Sequence, residues 1–426
     1  MSSMPNQRKI AVDALITVGE DYGYSNLVLQ KAFRKYDVPQ DDRAFITALF
    51  YGVLDRKITL DYIISRFTDK PFGRIKPVTL YALRIALFQI LYMDSVPERA
   101  AVDESVNIVK HSKEKYNAGF VNAVLRNFLR SEASIPTDNS VNSLEIRYSC
   151  PKWIIESFIS DYGVENTVGI LEHSLKPANT VLRINSTLIS DGEFIRVLND
   201  SGVNAELCGF EHAAVLNGGV DISQTAAYKE GLFHVEDLPS QIAVSKLGVK
   251  PGEAILDMCS APGGKTFTAA QNASNAAKIK ACDVFEHRVE LISAGAKRLK
   301  LRNIEYVTKD SAVFDESLGR FDAVICDVPC SGLGVIRRKP EIKYKENLDL
   351  DKLCTIQKSI LSNGLRYLKK GGRLLYSTCT LRRAENEAIV RACLDNNADF
   401  EVKCEHTFLP TVDGTDGFYY CLISSR

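Results

Sequence analysis

The chain has 426 residues, 45% of them hydrophobic and 25% charged, with a formal net charge of zero. That balance excludes disordered and fibrous classes, and the length exceeds one ordinary core, which predicts two or three domains. Neutral composition alone does not announce a nucleic-acid binder, although residues 1–130 hold 19 Lys and Arg against 14 Asp and Glu.

The start, Met1 to Lys9, is polar and lacks the apolar core of a signal peptide, so export is not expected. From Arg8 to Arg130 apolar residues recur at helical spacing: Ile10, Ala14, Leu15 and Val18, then Phe45, Leu49 and Val53, then Leu80, Leu83, Leu87, Ile90 and Leu91. This pattern predicts an all-helical bundle over 1–135. Loops are expected at Asp21-Tyr22-Gly23-Tyr24, Val38-Pro39 and Lys70-Pro71-Phe72-Gly73, where Pro and Gly interrupt the hydrogen-bond ladder. The longest apolar stretch, Val78 to Met93, contains Arg84 and Gln89 and is too short to span a bilayer.

Residues 131–140 are mostly small and polar and read as a linker. Between 141 and 235 the pattern is mixed, with a short helix around Trp153 to Tyr162 and a β-branched run at Thr180 to Ile184, which predicts a small α+β subdomain. From 236 to 426 short apolar runs alternate with helical ones: Ala254–Met258, Ile279–Asp283, Ile304–Val307, Phe321–Asp327 and Arg373–Ser377. That rhythm predicts an α/β Rossmann-like domain with a parallel sheet, and Phe418 to Ile423 supplies a last antiparallel strand. Eleven cysteines are scattered without a dense framework, which favours a reducing cytoplasm.

The first strand of that series feeds Cys259-Ser260-Ala261-Pro262-Gly263-Gly264-Lys265 and then a helix. Glycines in such a turn let the backbone approach a ligand, and the helix N-terminus offers free N–H groups. A phosphate-cradling P-loop would need glycine at position 259, where this chain has Cys259. Asp283 ends the next strand at the spacing where Rossmann-like folds bind ribose hydroxyls, and Asp310 follows the third strand, placed to meet an adenine amino group. Taken singly, either acid also reads as a helix cap or solvated strand end, and Cys259 and Cys282 read as packed small hydrophobes.

Two cysteines stand at what read as neighbouring strand ends, Cys330 in Asp327-Val328-Pro329-Cys330 and Cys379 in Ser377-Thr378-Cys379. In a right-handed parallel sheet their loops reach the same carboxyl-end crevice as the Gly-rich turn. Zinc at Cys326-x3-Cys330 is disfavoured because no paired Cys or His completes four ligands, so no metal is expected. Arg337-Arg338-Lys339 and Arg382-Arg383 follow the two cysteines, where a phosphate backbone would pass; as charge runs they also read as solvated faces.

The turn at 259–265, the run Asp327-Val328-Pro329-Cys330-Ser331-Gly332-Leu333-Gly334 and Tyr376-Ser377-Thr378-Cys379-Thr380 resemble, in order and spacing, motifs of the RsmB/Fmu/NSUN family of RNA cytosine 5-methyltransferases. Arg43 to Val53 and Val96 to Glu104 resemble the NusB-like RNA-binding domain of its RsmB branch. The resemblance implies S-adenosylmethionine as cofactor, bound by Cys259 to Lys265, Asp283, Arg288, Asp310 and Asp327. It makes Cys379 the nucleophile, Asp327 the group that hydrogen-bonds and protonates the cytosine ring around N3, and Cys330 the residue that assists product release. The implied partner is small-subunit ribosomal RNA presenting an unstacked cytosine, with transfer RNA or another ribosomal site as the alternative and a non-catalytic RNA-binding factor as the rival class. A monomer is expected. Ser149-Cys150-Pro151 departs from the family's Ser-His-Pro, and Val235-Glu236-Asp237 from its Val-Gln-Asp.

The chemistry needs such thiols. Carbon 5 of cytosine is a poor nucleophile until another nucleophile adds at carbon 6, and a thiolate suits that task. A free thiol with a pKa of about 8.5 is only a few per cent ionised near neutrality, so activation is required. A helix beginning after Thr380 would offer it through N-terminal N–H groups. Fold geometry leaves open which cysteine attacks.

Overall fold

The computed structural model describes residues 6–21, 25–131, 134–218, 221–345, 349–395 and 397–426. The loop expected at 22–24 lies outside the described residues. The chain divides into two compact units, 1–176 with 336–346, and 177–335 with 347–426.

The first unit is helical: α1 (Gln7–Asp21), α2 (Ser25–Lys35), α3 (Gln40–Asp55), α4 (Lys57–Arg66), α5 (Pro77–Tyr92), α6 (Glu98–Lys110) and α7 (Ala118–Leu129), then α8 (Val141–Tyr148) and α9 (Lys152–Ser174). Pro77 opens α5, where its missing N–H costs nothing. Ala82, Leu83, Ile85, Ala86 and Leu87 are buried in succession, so this helix is apolar on nearly every side and forms the centre of the bundle. Arg84 on the same helix is tolerated because Asp61 of α4 accepts both its Nε and Nη2, at 2.7 and 2.8 Å. The helix expected at Trp153 to Tyr162 continues to Ser174, interrupted at Gly163, whose φ of 77° departs from helical values.

The segment 336–346 packs within this unit. Lys343, 2% exposed, donates to the Asp55 carbonyl at 2.9 Å, and the Tyr344 hydroxyl donates to the Leu54 carbonyl at 2.9 Å. Both acceptors belong to the last turn of α3, whose carbonyls lack intrahelical partners and form the negative end of its dipole. Burial lowers the Lys343 pKa against the attraction of Asp55, and burial raises Asp55 to about 6.

The second unit carries two sheets. Strands β1 (Thr180–Ile184), β2 (Ala205–Leu207), β3 (Ala213–Leu216) and β4 (Phe233–Val235) pair antiparallel in the order β2-β3-β1-β4, with α10 (Asp191–Asp200) and α11 (Ala226–Lys229) between them. After α12 (Leu238–Leu247) come β5 (Ala254–Asp257), α13 (Gly264–Asn272), β6 (Lys278–Asp283), α14 (Glu286–Arg298), β7 (Ile304–Thr308) and β8 (Phe321–Asp327). They are followed by α15 (Leu350–Arg366), β9 (Leu368–Thr378), α16 (Glu387–Leu394), β10 (Phe400–Phe408), the short α17 (Pro410–Asp413) and β11 (Phe418–Ser425). The larger sheet runs β10-β11-β9-β8-β5-β6-β7. Strands β5 to β9 are parallel, and β11 lies antiparallel to β9 and β10.

Alternation decides its layers. Ile255, Ile279, Ala323, Ile325 and Leu375 face one apolar cluster with α12, α13 and α14, while Leu256, Cys282, Val324, Cys326 and Leu374 face the other with α15 and α16. The chain moves outward from β5 through β6 to β7, then returns to β8 on the other flank. The carboxyl ends of β5 and β8 therefore flank a topological switch point, the crevice where open α/β sheets take ligands. Strand β10 was not expected, although Phe400, Val402, Cys404 and Phe408 alternate with polar residues; Glu401, Lys403 and Glu405 belong to an edge strand.

Lys343→Met keeps the side-chain volume and removes the cation from the end of α3. It is expected to lower the unfolding free energy of the full chain by about 2–4 kcal/mol, measured by urea denaturation. An unchanged midpoint would mean that this contact does not hold the segment.

Candidate active site

The turn after β5 is built around Gly263, which has a φ of 115° and precedes the first residue of α13. A side chain there would be strained, and a Cβ would lie 2.2 Å from the Phe267 ring. Beneath the turn, Thr266 donates to Oδ2 of the fully buried Asp257 at 2.5 Å, and Ser260 Oγ lies 2.6 Å from Thr266 Oγ1. Burial dominates at Asp257 and, with Asp327 nearby, raises its carboxyl to about 7 despite the Thr266 bond. Cys259 and Cys282 are pushed up by burial, Cys282 to about 12, as packed thiols are.

Lys265 leaves α13 toward the end of β8. Its Nζ donates to Asp327 Oδ2 at 2.8 Å and lies 3.3 Å from Ser240 Oγ. Burial works against this ammonium, but the carboxylates of Asp327 and Glu236 outweigh it and raise the Lys265 pKa. Glu236 is itself buried, accepts a bond from Thr268 and lies 3.4 Å from His234; burial opposes its charge, yet these partners lower its pKa. The other oxygen of Asp327 accepts from Ser377 Oγ on β9 at 2.8 Å, so one carboxylate joins the ends of β8 and β9 to the Gly-rich turn.

Asp283 is buried at the end of β6, where it meets Arg288 Nη1 at 3.2 Å and accepts from Phe285 N at 3.2 Å. Arg288 also donates to the Ala261 carbonyl at 2.7 Å, so it braces the turn from the side of α14. Asp310 is exposed after β7, and its Oδ1 accepts from Ala312 N at 2.9 Å. Val284, Phe285 and Val313, beside these acids, are exposed apolar side chains that the sequence reading passed over. They offer surface to a planar base, while the acids suit hydroxyl and amino donors. Phosphates would be repelled, and the lysine of the turn is already held by Asp327. The donor set therefore fits an adenosine without a polyphosphate.

The structure brings Cys330 and Cys379 together: both thiols are half-buried, with their sulfurs 3.4 Å apart. Gly334 makes this approach feasible. Its N–H donates to the Cys379 carbonyl at 3.0 Å, its own carbonyl accepts from Gly417 N at 2.9 Å, and a Cβ on it would lie 2.0 Å from the Gly417 oxygen. The helix expected directly after Thr380 begins only at Glu387. Between them the chain makes a 3-10 turn at Arg383–Glu385, and Asn386 folds back to donate to the Thr380 carbonyl at 3.0 Å. Cys379 is thus not at the start of α16.

Glu385, also missed in the sequence, is fully buried and accepts from Ser331 N and Oγ, Gln357 Nε2 and Arg382 Nη1, at 2.8, 2.6, 3.0 and 3.1 Å. Arg382 is therefore turned inward as its counter-charge, because a buried carboxylate needs one. Arg337, Arg338 and Lys339 fall in the helical unit, where Arg337 Nη1 lies 3.1 Å from His173 Nε2. Cys326 packs in the core 3.5 Å from Met258 Sδ, and among the described residues no cluster of three or more His, Cys, Asp or Glu is arranged to hold a metal.

Fold and site define a Rossmann-like methyltransferase preceded on its chain by a helical bundle. The profile of the 16S rRNA methyltransferase RsmB/F family matches residues 244–424, that of the NusB family 5–130, and that of the ferredoxin-like domain of RsmF/B-like methyltransferases 150–223. Probable ribosomal RNA small subunit methyltransferase B of Bacillus subtilis (strain 168) is 34% identical over 443 residues, covering 98% of each chain. Ribosomal RNA small subunit methyltransferase B of Proteus mirabilis (strain HI4320) is 31% identical over the whole of both chains. The solved structure of PH0851 superposes with a TM-score of 0.84 at 25% identity over 99% of both chains. The chain belongs to the RsmB/F family of ribosomal RNA small-subunit methyltransferases.

Two outcomes follow from this geometry. Gly334→Ala is expected to separate the strapped loops and lower stability by about 2 kcal/mol or more, read as a fall in unfolding midpoint. Asp257 has a folded pKa near 7, above the ordinary 3.8, so the native state binds its proton more tightly. Its contribution is complete below about pH 4 and is lost as pH rises toward 7, by up to a few kcal/mol. Asp257→Asn is expected to flatten stability over that window, measured by denaturation at pH 4.5 and 7.5. An unchanged slope would assign the effect elsewhere.

Proposed function

We propose that this protein transfers the methyl group of S-adenosylmethionine to carbon 5 of an unstacked cytosine in 16S ribosomal RNA through a covalent adduct of Cys379 at carbon 6. The observation that carries this reading is the pair of thiols 3.4 Å apart at the switch-point crevice, on the loops after β8 and β9. When bound, the cofactor supplies an electrophilic methyl on a sulfonium. The turn 259–265, Asp283, Arg288, Asp310 and Asp327 are the residues that would hold it.

The Cys379 thiolate forms the bond to carbon 6, and the electron pair of the C5–C6 double bond becomes enamine-like, which makes carbon 5 nucleophilic. Ring N3 takes a proton from the Lys265–Asp327 pair. Asp327 is the group that hydrogen-bonds ring N3 and passes it the proton, and Lys265 and Ser377 hold its two oxygens in place. After methylation N3 returns that proton to the pair, the carbon 5 proton leaves to water, the double bond re-forms and the C6–S bond breaks to regenerate the Cys379 thiolate. Cys330 assists as hydrogen-bond donor to the departing sulfur.

The division into a NusB-like RNA-binding bundle over 1–135, an α+β RNA-binding subdomain over 141–235 and a methyltransferase domain over 236–426 belongs to the same proposal, supported by the three matched profiles. So does action as a monomer in the cytoplasm. Among the described residues no helix is long and apolar enough to cross a membrane.

The test incubates the full chain with methyl-labelled S-adenosylmethionine and small-subunit ribosomal RNA and maps the labelled base. Label on a cytosine is expected. Label on another base, or on transfer RNA alone, overturns the assignment. Cys379→Ala should reduce transfer by about a thousandfold or more with no adduct, whereas Cys330→Ala should leave RNA on the protein after denaturation. The reverse pattern exchanges the two roles.

A further inference from the structure

We propose that Cys330 and Cys379 are a redox-modification site: a hydroperoxide joins them as a disulfide, which withdraws both thiols from the crevice until a thiol reductant reopens it. The link itself stands on geometry, and only its consequence for methyl transfer rests on the two-thiol reading above.

Both residues are present as half-buried thiols, their sulfurs 3.4 Å apart, in a crevice open to a reagent as small as hydrogen peroxide. A disulfide has about 2.05 Å between its sulfurs, so the pair must close by about 1.4 Å. The loops that carry it are already tied to each other. Gly334 N–H donates to the Cys379 carbonyl at 3.0 Å, and Ser331 Oγ lies 2.8 Å from Thr380 Oγ1, which joins the residues that follow the two cysteines. Glu385 then holds Ser331 N and Oγ at 2.8 and 2.6 Å, and Asn386 Nδ2 holds the Thr380 carbonyl at 3.0 Å. Folding has therefore closed the 49-residue separation along the chain, and the reaction between the two sulfurs is effectively unimolecular.

The other cysteines are placed differently. Cys150, Cys282, Cys326 and Cys421 are buried, whereas Cys354 Sγ lies 3.7 Å from the Ala384 carbonyl and Cys393 Sγ 3.6 Å from Ser362 Oγ. A thiol oxidised alone stops at the sulfenic acid or passes on to irreversible acids. The pair at the switch point has its resolving thiol in place.

The chemistry balances with one peroxide. The ionised sulfur of the pair attacks the O–O bond of hydrogen peroxide; an S–O bond forms, the O–O bond breaks, and the leaving hydroxide takes up a proton to become water. The second thiol gives up its proton and attacks the sulfenyl sulfur; the S–S bond forms, the S–O bond breaks and a second water leaves. The sulfur pair is oxidised by two electrons, and the peroxide is reduced. Neither sulfur can then add to carbon 6 or assist release. Exchange with a reducing thiol breaks the S–S bond and returns both thiols.

The test treats the reduced full chain with a small molar excess of hydrogen peroxide at neutral pH, blocks remaining thiols with iodoacetamide and digests without reductant. Mass spectrometry is expected to find one peptide containing Cys330 joined to one containing Cys379, lighter by two hydrogens than the reduced pair. Methyl transfer to small-subunit ribosomal RNA should fall in step with the linked fraction, to near-complete loss, and dithiothreitol should restore both. Cys330→Ser and Cys379→Ser should each lack the linked peptide, with the remaining thiol trapped as sulfenic acid by dimedone. The proposal is overturned if the wild-type pair stays reduced or is found as two separate oxidised acids while Cys354 or Cys393 reacts, results that require no variant to fold. It is equally overturned if the linked protein transfers methyl as fast as the reduced one. Failure of the transferase reading is seen separately, as no transfer by the reduced protein, because the link is read by mass alone.

Discussion

The ion pair between Lys265 and Asp327 is the contact on which the site depends. Lys265 lies in the first turn of the helix after β5, Asp327 ends β8, and Ser377 on β9 bonds the second oxygen of the same carboxylate. Three parallel strands therefore present their ends as one surface. Without that bond the Gly-rich turn would lose its side-chain tie to the ends of β8 and β9. The pair also engages the charge of the one lysine in the turn 259–265, which is therefore already held by a carboxylate.

A second constraint lies below the thiols. Glu385 is buried without exposed surface and recruits donors from Ser331, Gln357 and Arg382. Its burial is costly by itself, and the surrounding donors exist to offset that cost. The same network brings the loops of Cys330 and Cys379 to a common floor, while the crossing of Gly334 and Gly417 holds them from the side of β11.

Much of the fold was legible because its elements are local. Strands β5 and β8 are almost wholly buried and, like β6 and the edge strand β7, read as short apolar runs, and the bundle helices repeat at helical spacing. Strand β10 was not read, because charges on an edge strand mask its alternation. The helix expected after Thr380 was misplaced for a tertiary reason: Asn386 and Glu385 bond backward to the loops of Thr380 and Ser331 rather than forward along a helix. Arg382 looked like a contact for phosphate and proved to be the partner of a buried acid, since a sequence displays charge but not what lies beside it.

The sequence by itself determined the alternating strand and helix pattern, the glycine turn and the two cysteine motifs, because periodicity, turn chemistry and residue type are properties of neighbours along the chain. Only the tertiary structure decided that Cys330 and Cys379 stand 3.4 Å apart, that Lys265 is held by Asp327, and that Glu385 lies under one thiol loop. Those relations join residues 49 to 62 positions apart at the thiols and the ion pair, and 54 apart at Glu385 and Ser331. Burial and field at such distances follow from the stacking order of strands around the switch point, which no local pattern encodes.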